Sequence, residues 1–466
     1  MLLSAITPSP AARGEFRQLL LLLGPILVSQ LSQAAYGFVD AVMAGQVSPL
    51  DLAGVAMGSS LWLPLFLLIS GILMATTPLV AEAVGAKNTA EIPHVAHQAL
   101  WLALLLGIAG FFLLRHIEPV FGWMNVPENL RTITRNYLEG VSWGMPAVAV
   151  FAVLRCYCEG LGRPGVIMVI SLVGLLINIP ANYIFIHGKF GLPAMGGAGC
   201  GWATAIVMWS MALLLLGYIL SARHFASVRL LHEKSRPEWA RLRTLLRLGL
   251  PIGIAIFFEV SVFCVVAILI SPLGELMVAG HQIALSVTSL LFMFPLSLAI
   301  CMTIRTGQAY GRRDIEAIRL TRRVGLVATT LFACLSASFI VLTRDSLTGL
   351  YTSDADVRLL AGQLLLFAAA YQICDALQVG AAGCLRGLQD TRGPMVMTLF
   401  AYWVVALPVG YTLGLTLLFG QSLGPHGFWF GLVLGLTVAS VLLNWRLARQ
   451  LRRLAEQPAF AGIQPR

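Results

Sequence analysis

The chain has 466 residues, of which 58% are hydrophobic and 11% charged, whereas soluble domains carry about 25% charged residues. That excludes an ordinary soluble protein and points to a multi-pass membrane protein with little mass outside the bilayer. The net charge of +10 is not a nucleic-acid footprint, because almost all the Lys and Arg fall in short loops between apolar runs, where membrane orientation accounts for them.

The opening segment, MLLSAITPSPAARGEF, is short and mixed and shows no cleavage signal. It reads as a cytoplasmic tail ahead of an uncleaved first helix. A membrane helix needs about 20 apolar residues at roughly 1.5 Å each. Six such runs centre near 18–40, 52–78, 95–115, 136–157, 165–187 and 197–221, and six more near 248–270, 277–303, 324–343, 360–383, 395–418 and 427–446. The predicted fold class is therefore an all-α polytopic membrane protein with 12 transmembrane helices in two parallel six-helix repeats. The predicted organisation is a bundle over 1–223, a cytoplasmic linker over 224–247, a second bundle over 248–446 and a cytoplasmic tail over 447–466. With the N-terminus inside, 25 of the 31 Lys and Arg lie inside, and only Arg115, Arg131, Arg135, Lys189, Arg344 and Arg358 lie outside. Both termini are predicted to be cytoplasmic.

Polar residues interrupt these runs at few places. The first run carries Gln33, Tyr36 and, nearer its outer end, Asp40. In the fifth, Asn178 and Asn182 stand four apart and share a helix face, with Pro180 between them removing a backbone donor. The seventh, PIGIAIFFEVSVFCVVAILIS, holds Glu259 half-way along, with Phe258 beside it and Phe263 four residues on, on the same face. Met293 lies in the eighth run, and Asp375 is mid-span in the tenth. A carboxylate at the centre of a membrane helix costs several kcal/mol if it faces lipid. No basic residue is expected at comparable depth. Burial without a partner disfavours the charged form, so such a group takes up a proton or holds Na+ or a cationic ligand. Glu259 is expected to face a cavity as a cation or proton site, with Na+ possible at Glu259 and Asp375. Tyr36, Gln33, Phe258, Phe263 and Met293 are candidate lining residues, and aromatics can hold organic cations by cation–π contact. The competing reading is that the acids and asparagines are polar glue between helices.

Shifting the sequence by 226 residues superposes the halves: Pro25 on Pro251, Ala53-Gly54 on Ala279-Gly280, Gly85 on Gly311. Small gaps bring Gly160-Leu161 onto Gly387-Leu388, then Pro180 onto Pro408 and Gly199 onto Gly427. Six helices per half make the repeats parallel, an architecture suited to rocking one bundle against another around a central site. The acids are not duplicated. Gln33 lies opposite Glu259, Val266 opposite Asp40, and Val148 or Ala149 opposite Asp375, which suggests specialised sites on a shared scaffold.

No Walker sequence or HExxH is present, which argues against direct ATP use and against an intramembrane zinc enzyme. His94 and His97 lack a third ligand, and the eight cysteines show no zinc or disulfide spacing. No cofactor is expected beyond a coupling ion.

VDAVMAGQVSPLDLAGVAMGSSLW, NIPANYIFIHGKFGLPAMGGAGCGWAT and CLRGLQDTRGPM resemble the multidrug and toxic compound extrusion (MATE) family, particularly its NorM-type bacterial branch. The resemblance covers nearly the whole chain. It implies a multi-pass protein of the bacterial inner membrane that exports cationic amphipathic drugs and dyes in exchange for Na+ or H+. It also implies coupling roles for Glu259, Asp375 and Asp40, with Asn178 and Asn182 in support. A monomer is expected. The alternative is a lipid-linked precursor flippase of a related fold, which would be expected to carry basic residues in its cleft.

Overall fold

The computed structural model describes residues 9–123, 127–223, 225, 230, 235–416 and 422–460. His224, His232 and much of the proposed linker and tail lie outside these. Among the described residues, twelve helices are long and apolar enough to cross a membrane. The first six are α1 (Pro10–Val47), α2 (Pro49–Gly85), α3 (Glu91–Arg115), α4 (Glu128–Gly160), α5 (Gly165–His187) and α6 (Gly196–Ser221). The second six are α7 (Trp239–Leu273), α8 (Glu275–Gly311), α9 (Ile315–Tyr351), α10 (Ala355–Gly387), α11 (Arg392–Leu415) and α12 (Pro425–Ala455). The all-α, twelve-helix reading of the sequence holds.

By contacts the chain forms two compact units, Met1–Leu23 with Ile254–Arg466, and Gly24–Gly253. Helices α1 and α7 thus each begin in one unit and continue in the other. The changeovers fall beside Pro25 and Pro251, which are repeat partners, and a proline inside a helix removes one backbone bond. Before its changeover α1 is fastened to the second-half helices: Glu15 accepts from the Arg305 guanidinium at 3.0 and 2.5 Å and from the Thr321 hydroxyl at 2.7 Å.

The internal repeat is visible in packing. A Cβ on Gly160 would stand 3.0 Å from the Thr77 carbonyl oxygen, and one on Gly387 2.7 Å from the Thr303 carbonyl oxygen. Thr77 and Thr303 are 226 residues apart, so the same close helix crossing is built in each half. Gly387→Ala is therefore expected to destabilise the protein by about 1–3 kcal/mol, the usual range for overpacking. A thermal melt of the purified variant tests this, and an unchanged melt would show that the crossing has slack.

Exposed apolar residues recur along the outer helices. Val327, Leu331 and Leu335 on α9, four apart and 60–63% exposed, give a stripe suited to lipid rather than water.

Candidate functional site

Two polar constellations sit inside the bundles, one in each unit. In the unit Gly24–Gly253 the centre is Asp40 on α1, 6% exposed. The helical spacing of Asn178 and Asn182 brings both amides onto it: its Oδ1 accepts from Asn178 Nδ2 at 3.1 Å and Asn182 Nδ2 at 2.6 Å. Its Oδ2 accepts from the Thr204 hydroxyl on α6 at 3.2 Å. All these partners are neutral. Asn182 Oδ1 is buried with no hydrogen-bond partner among the described residues, leaving a free oxygen beside the carboxylate. Asp40 with the oxygens of Asn178, Asn182 and Thr204 is a donor set that suits a hard cation.

Asp40 opens onto a cavity of about 340 Å³ walled by Tyr36, Trp62, Phe66, Tyr137 and Phe151, within the size range of small-molecule sites. Gln33 and Asn178 also line it. Tyr36 is fixed by donating its hydroxyl to the Ser171 carbonyl at 2.6 Å. The Tyr137 hydroxyl stands 3.2 Å from both Ser59 Oγ and Trp62 Nε1.

In the other unit Glu259 on α7 is half-buried and Asp375 on α10 is fully buried. They are close enough to act on each other electrostatically, and each also acts on Tyr371 and Tyr402. The Tyr402 hydroxyl stands 3.2 Å from Glu259 Oε1 and 2.9 Å from Gln378 Oε1. One hydroxyl proton cannot serve two acceptors, so both are satisfied together only when one of them brings a proton of its own. Among the described residues, neither oxygen of Asp375 has a hydrogen-bond partner. Tyr402 lies in a π-helical stretch, Phe400–Ala406, just ahead of Pro408; such widened turns are frequent at functional sites.

The remaining candidates fall in different surroundings. Two bases reach these sites from helix ends: Arg155 on α4 is among the residues lining the Asp40 cavity, and Arg386 on α10 acts electrostatically on Glu259. Both stand within a few residues of a helix end, where sequence reading credits them to the cytoplasmic loops. The cavity described above is lined by Asp40, Tyr36 and Gln33, and Glu259 is not among its lining residues. Phe258 packs edge-on against Trp403 at 5.6 Å and Phe263 against Tyr371 at 6.3 Å, both as core contacts. Met293 is half-buried, its carbonyl accepting the Ser297 hydroxyl at 2.7 Å. Sequence reasoning missed Thr204, Tyr402, Gln378 and Arg155. Thr204 closes one of the motifs quoted above, but hydroxyls are too common in membrane helices to stand out.

The MatE family matches residues 25–184 and 251–412, two blocks whose starts are offset by the same 226 residues as the repeat. The chain belongs to the MatE family. It is a multi-pass membrane transporter of bacterial type and not an enzyme. It is 47% identical to the probable multidrug resistance protein NorM of Acinetobacter baylyi, over 96% of this chain and 98% of that protein. It is 48% identical to the multidrug resistance protein PmpM of Pseudomonas aeruginosa, over 96% of this chain and 94% of that one. In fold it matches a multidrug resistance MATE transporter of the MOP superfamily solved in an outward-facing conformation, with a TM-score of 0.86 at 21% identity, covering 97% of this chain and 99% of that one.

Proposed function

We propose that this chain is a secondary multidrug antiporter that exports cationic amphipathic compounds in exchange for inward Na+ or H+, with both termini cytoplasmic and one copy sufficient for transport. The observation that carries the reading is Asp40, a buried carboxylate held, among the described residues, by the neutral donors Asn178, Asn182 and Thr204 at the edge of an aromatic cavity. Such a carboxylate is stable with a proton, a metal cation or an organic cation against it, and these exclude one another. That exclusion couples two ligands through one group. Asp375, with no partner for either oxygen among the described residues, and Glu259, sharing Tyr402 with Gln378, form a second place where a proton or Na+ would be held. The multidrug resistance names of the relatives and the excess of basic residues in the inner loops agree with this assignment. A lipid-linked precursor flippase would need a basic cleft for a pyrophosphate, and Arg155 is the single Lys or Arg among the described lining residues.

Reconstitution into liposomes with ethidium tests the reading under a Na+ gradient at constant pH and, separately, under a pH gradient without Na+. One of the two is expected to drive ethidium movement, and Glu259→Gln should reduce that driven rate by roughly 5- to 150-fold, the usual scale of coupling between sites. Movement under neither gradient would discard the antiport reading, and wild-type rates in the variant would remove Glu259 from it.

A further inference from the structure

Unpaired arginines gather where α11 begins and α12 ends, on a surface that the antiport reading does not use. On α12, Val441, Trp445, Arg449 and Arg452 follow one another at spacings of four, four and three, so they share one face. Val441 and Trp445 are 63% and 54% exposed, and both arginines are exposed. The stripe thus runs from apolar surface suited to lipid, through an indole, to two guanidiniums. Indoles of this kind gather at the level of the lipid headgroups. On α11, the exposed Arg392 stands four residues ahead of the exposed Val396, so charge again gives way to apolar surface along one face.

A further arginine of α12, Arg446, is already engaged. It closes on Asp390 with its fork, at 2.7 and 2.9 Å, and a Cβ on Gly393 would collide with its guanidinium. This pins the α10–α11 turn to α12 and brings the first residues of α11 alongside the Trp445–Arg449 stretch. Arg449 lies over the Trp445 ring, 5.5 Å from its centroid. That contact steadies the guanidinium and leaves its N–H donors unused. Exposed Arg241 and Arg319 pair with Glu91 and Glu316. Among the described residues, Arg392, Arg449 and Arg452 have no carboxylate partner.

We infer that this face is a binding site for an anionic phospholipid. The guanidiniums of Arg449, Arg452 and Arg392 take the phosphodiester, for which their planar forks are suited, and the acyl chains lie along Val441 and Val396. A zwitterionic lipid brings the same phosphate with an ammonium group, which the remaining guanidiniums repel. Only the placement of the site in the inner leaflet rests on the orientation proposed above.

Native mass spectrometry of the full chain in detergent tests the site, with dioleoyl phosphatidylglycerol and dioleoyl phosphatidylcholine titrated separately. The two lipids differ in headgroup alone. The wild type should bind the phosphatidylglycerol at least about tenfold more tightly, a comparison that needs no variant. Arg449→Gln should weaken phosphatidylglycerol binding about fivefold, and Arg449→Gln with Arg452→Gln about 25-fold, the scale of one and two basic residues at an anionic lipid surface. Trp445→Leu keeps the apolar bulk and removes the ring, and should cost about two- to fivefold. Arg319→Gln removes the same charge elsewhere and should leave the lipid bound as in wild type. Equal affinity of the wild type for the two lipids would overturn the site. An equal loss in Arg319→Gln and Arg449→Gln would overturn it too, by showing that net charge alone attracts the lipid. Displacement of the phosphatidylglycerol by inorganic phosphate would replace the lipid with a soluble anion.

Discussion

Asp375→Val is expected to make the protein more stable and, at the same time, to abolish ion-driven export. Asp375 is 0% exposed, and neither carboxylate oxygen finds a hydrogen-bond partner among the described residues. A buried polar group in that condition costs about 1–3 kcal/mol, and a compact apolar side chain removes the cost without a large change in volume. Valine is a reasonable choice because the repeat places Val148 or Ala149 opposite Asp375, so the same scaffold already carries an apolar residue there. The expected outcome is a gain of about 1–3 kcal/mol in a thermal melt of the purified protein, with ethidium export in liposomes reduced to the passive leak. Destabilisation would mean that the surroundings of Asp375 are organised to hold its charge. Retained transport would mean that it is not part of the coupling machinery. A residue kept at the expense of stability belongs to function, because selection for folding alone would remove it.

The fold was legible because a bilayer imposes length and apolarity on every span, and because the same six-helix plan is written twice. The Gly160–Thr77 and Gly387–Thr303 crossings are the packing counterpart of letters that already coincide at a fixed offset. The Asp40 constellation was legible in part. A carboxylate and two asparagines four apart stand out in apolar runs, and helical geometry puts the asparagines on one face. Which helix they meet, and that Thr204 completes the shell, depends on packing between distant segments, which has no local pattern. Tyr402 reaches Glu259 from a stretch where the helix widens, and α-helical periodicity cannot anticipate that. Arg155 was misplaced for a different reason. Near the end of a span, a basic residue belongs statistically with the cytoplasmic loops, and only its position on the Val148–Phe151–Ala152 stripe turns it toward the cavity. The aromatics show the limit of composition, since Tyr36 lines the cavity whereas Phe258 and Phe263 pack against Trp403 and Tyr371.

Asp40→Asn should leave the fold in place and remove the driving force. The asparagine is nearly isosteric. Its carbonyl oxygen can accept from Asn178 and Asn182 as Asp40 Oδ1 does now, at 3.1 and 2.6 Å. Its amide can donate to Thr204, whose hydroxyl donates to Oδ2 at 3.2 Å and is free to turn and accept instead. All three hydrogen bonds therefore survive, and the charge alone is lost. Stability should stay within about 1 kcal/mol of wild type, since no buried donor is orphaned. Ethidium export under the driving gradient should fall by roughly 5- to 150-fold, because the group for which ion and drug compete can no longer carry either positive partner. Asp40→Ala provides the contrast: it strands the Asn178 and Thr204 donors in a buried site, at about 1–3 kcal/mol each, leaves Asn182 Nδ2 its 3.2 Å bond to Asn178 Oδ1, and should lower the melting temperature as well as transport. If both variants lost stability equally, the charge itself would be holding α1 to α5 and α6. If Asp40→Asn transported at the wild-type rate, exchange would have to run through Glu259 and Asp375 alone. Loss of transport with unchanged stability in Asp40→Asn, beside loss of both in Asp40→Ala, is the pattern that structural glue cannot produce and a coupling carboxylate must.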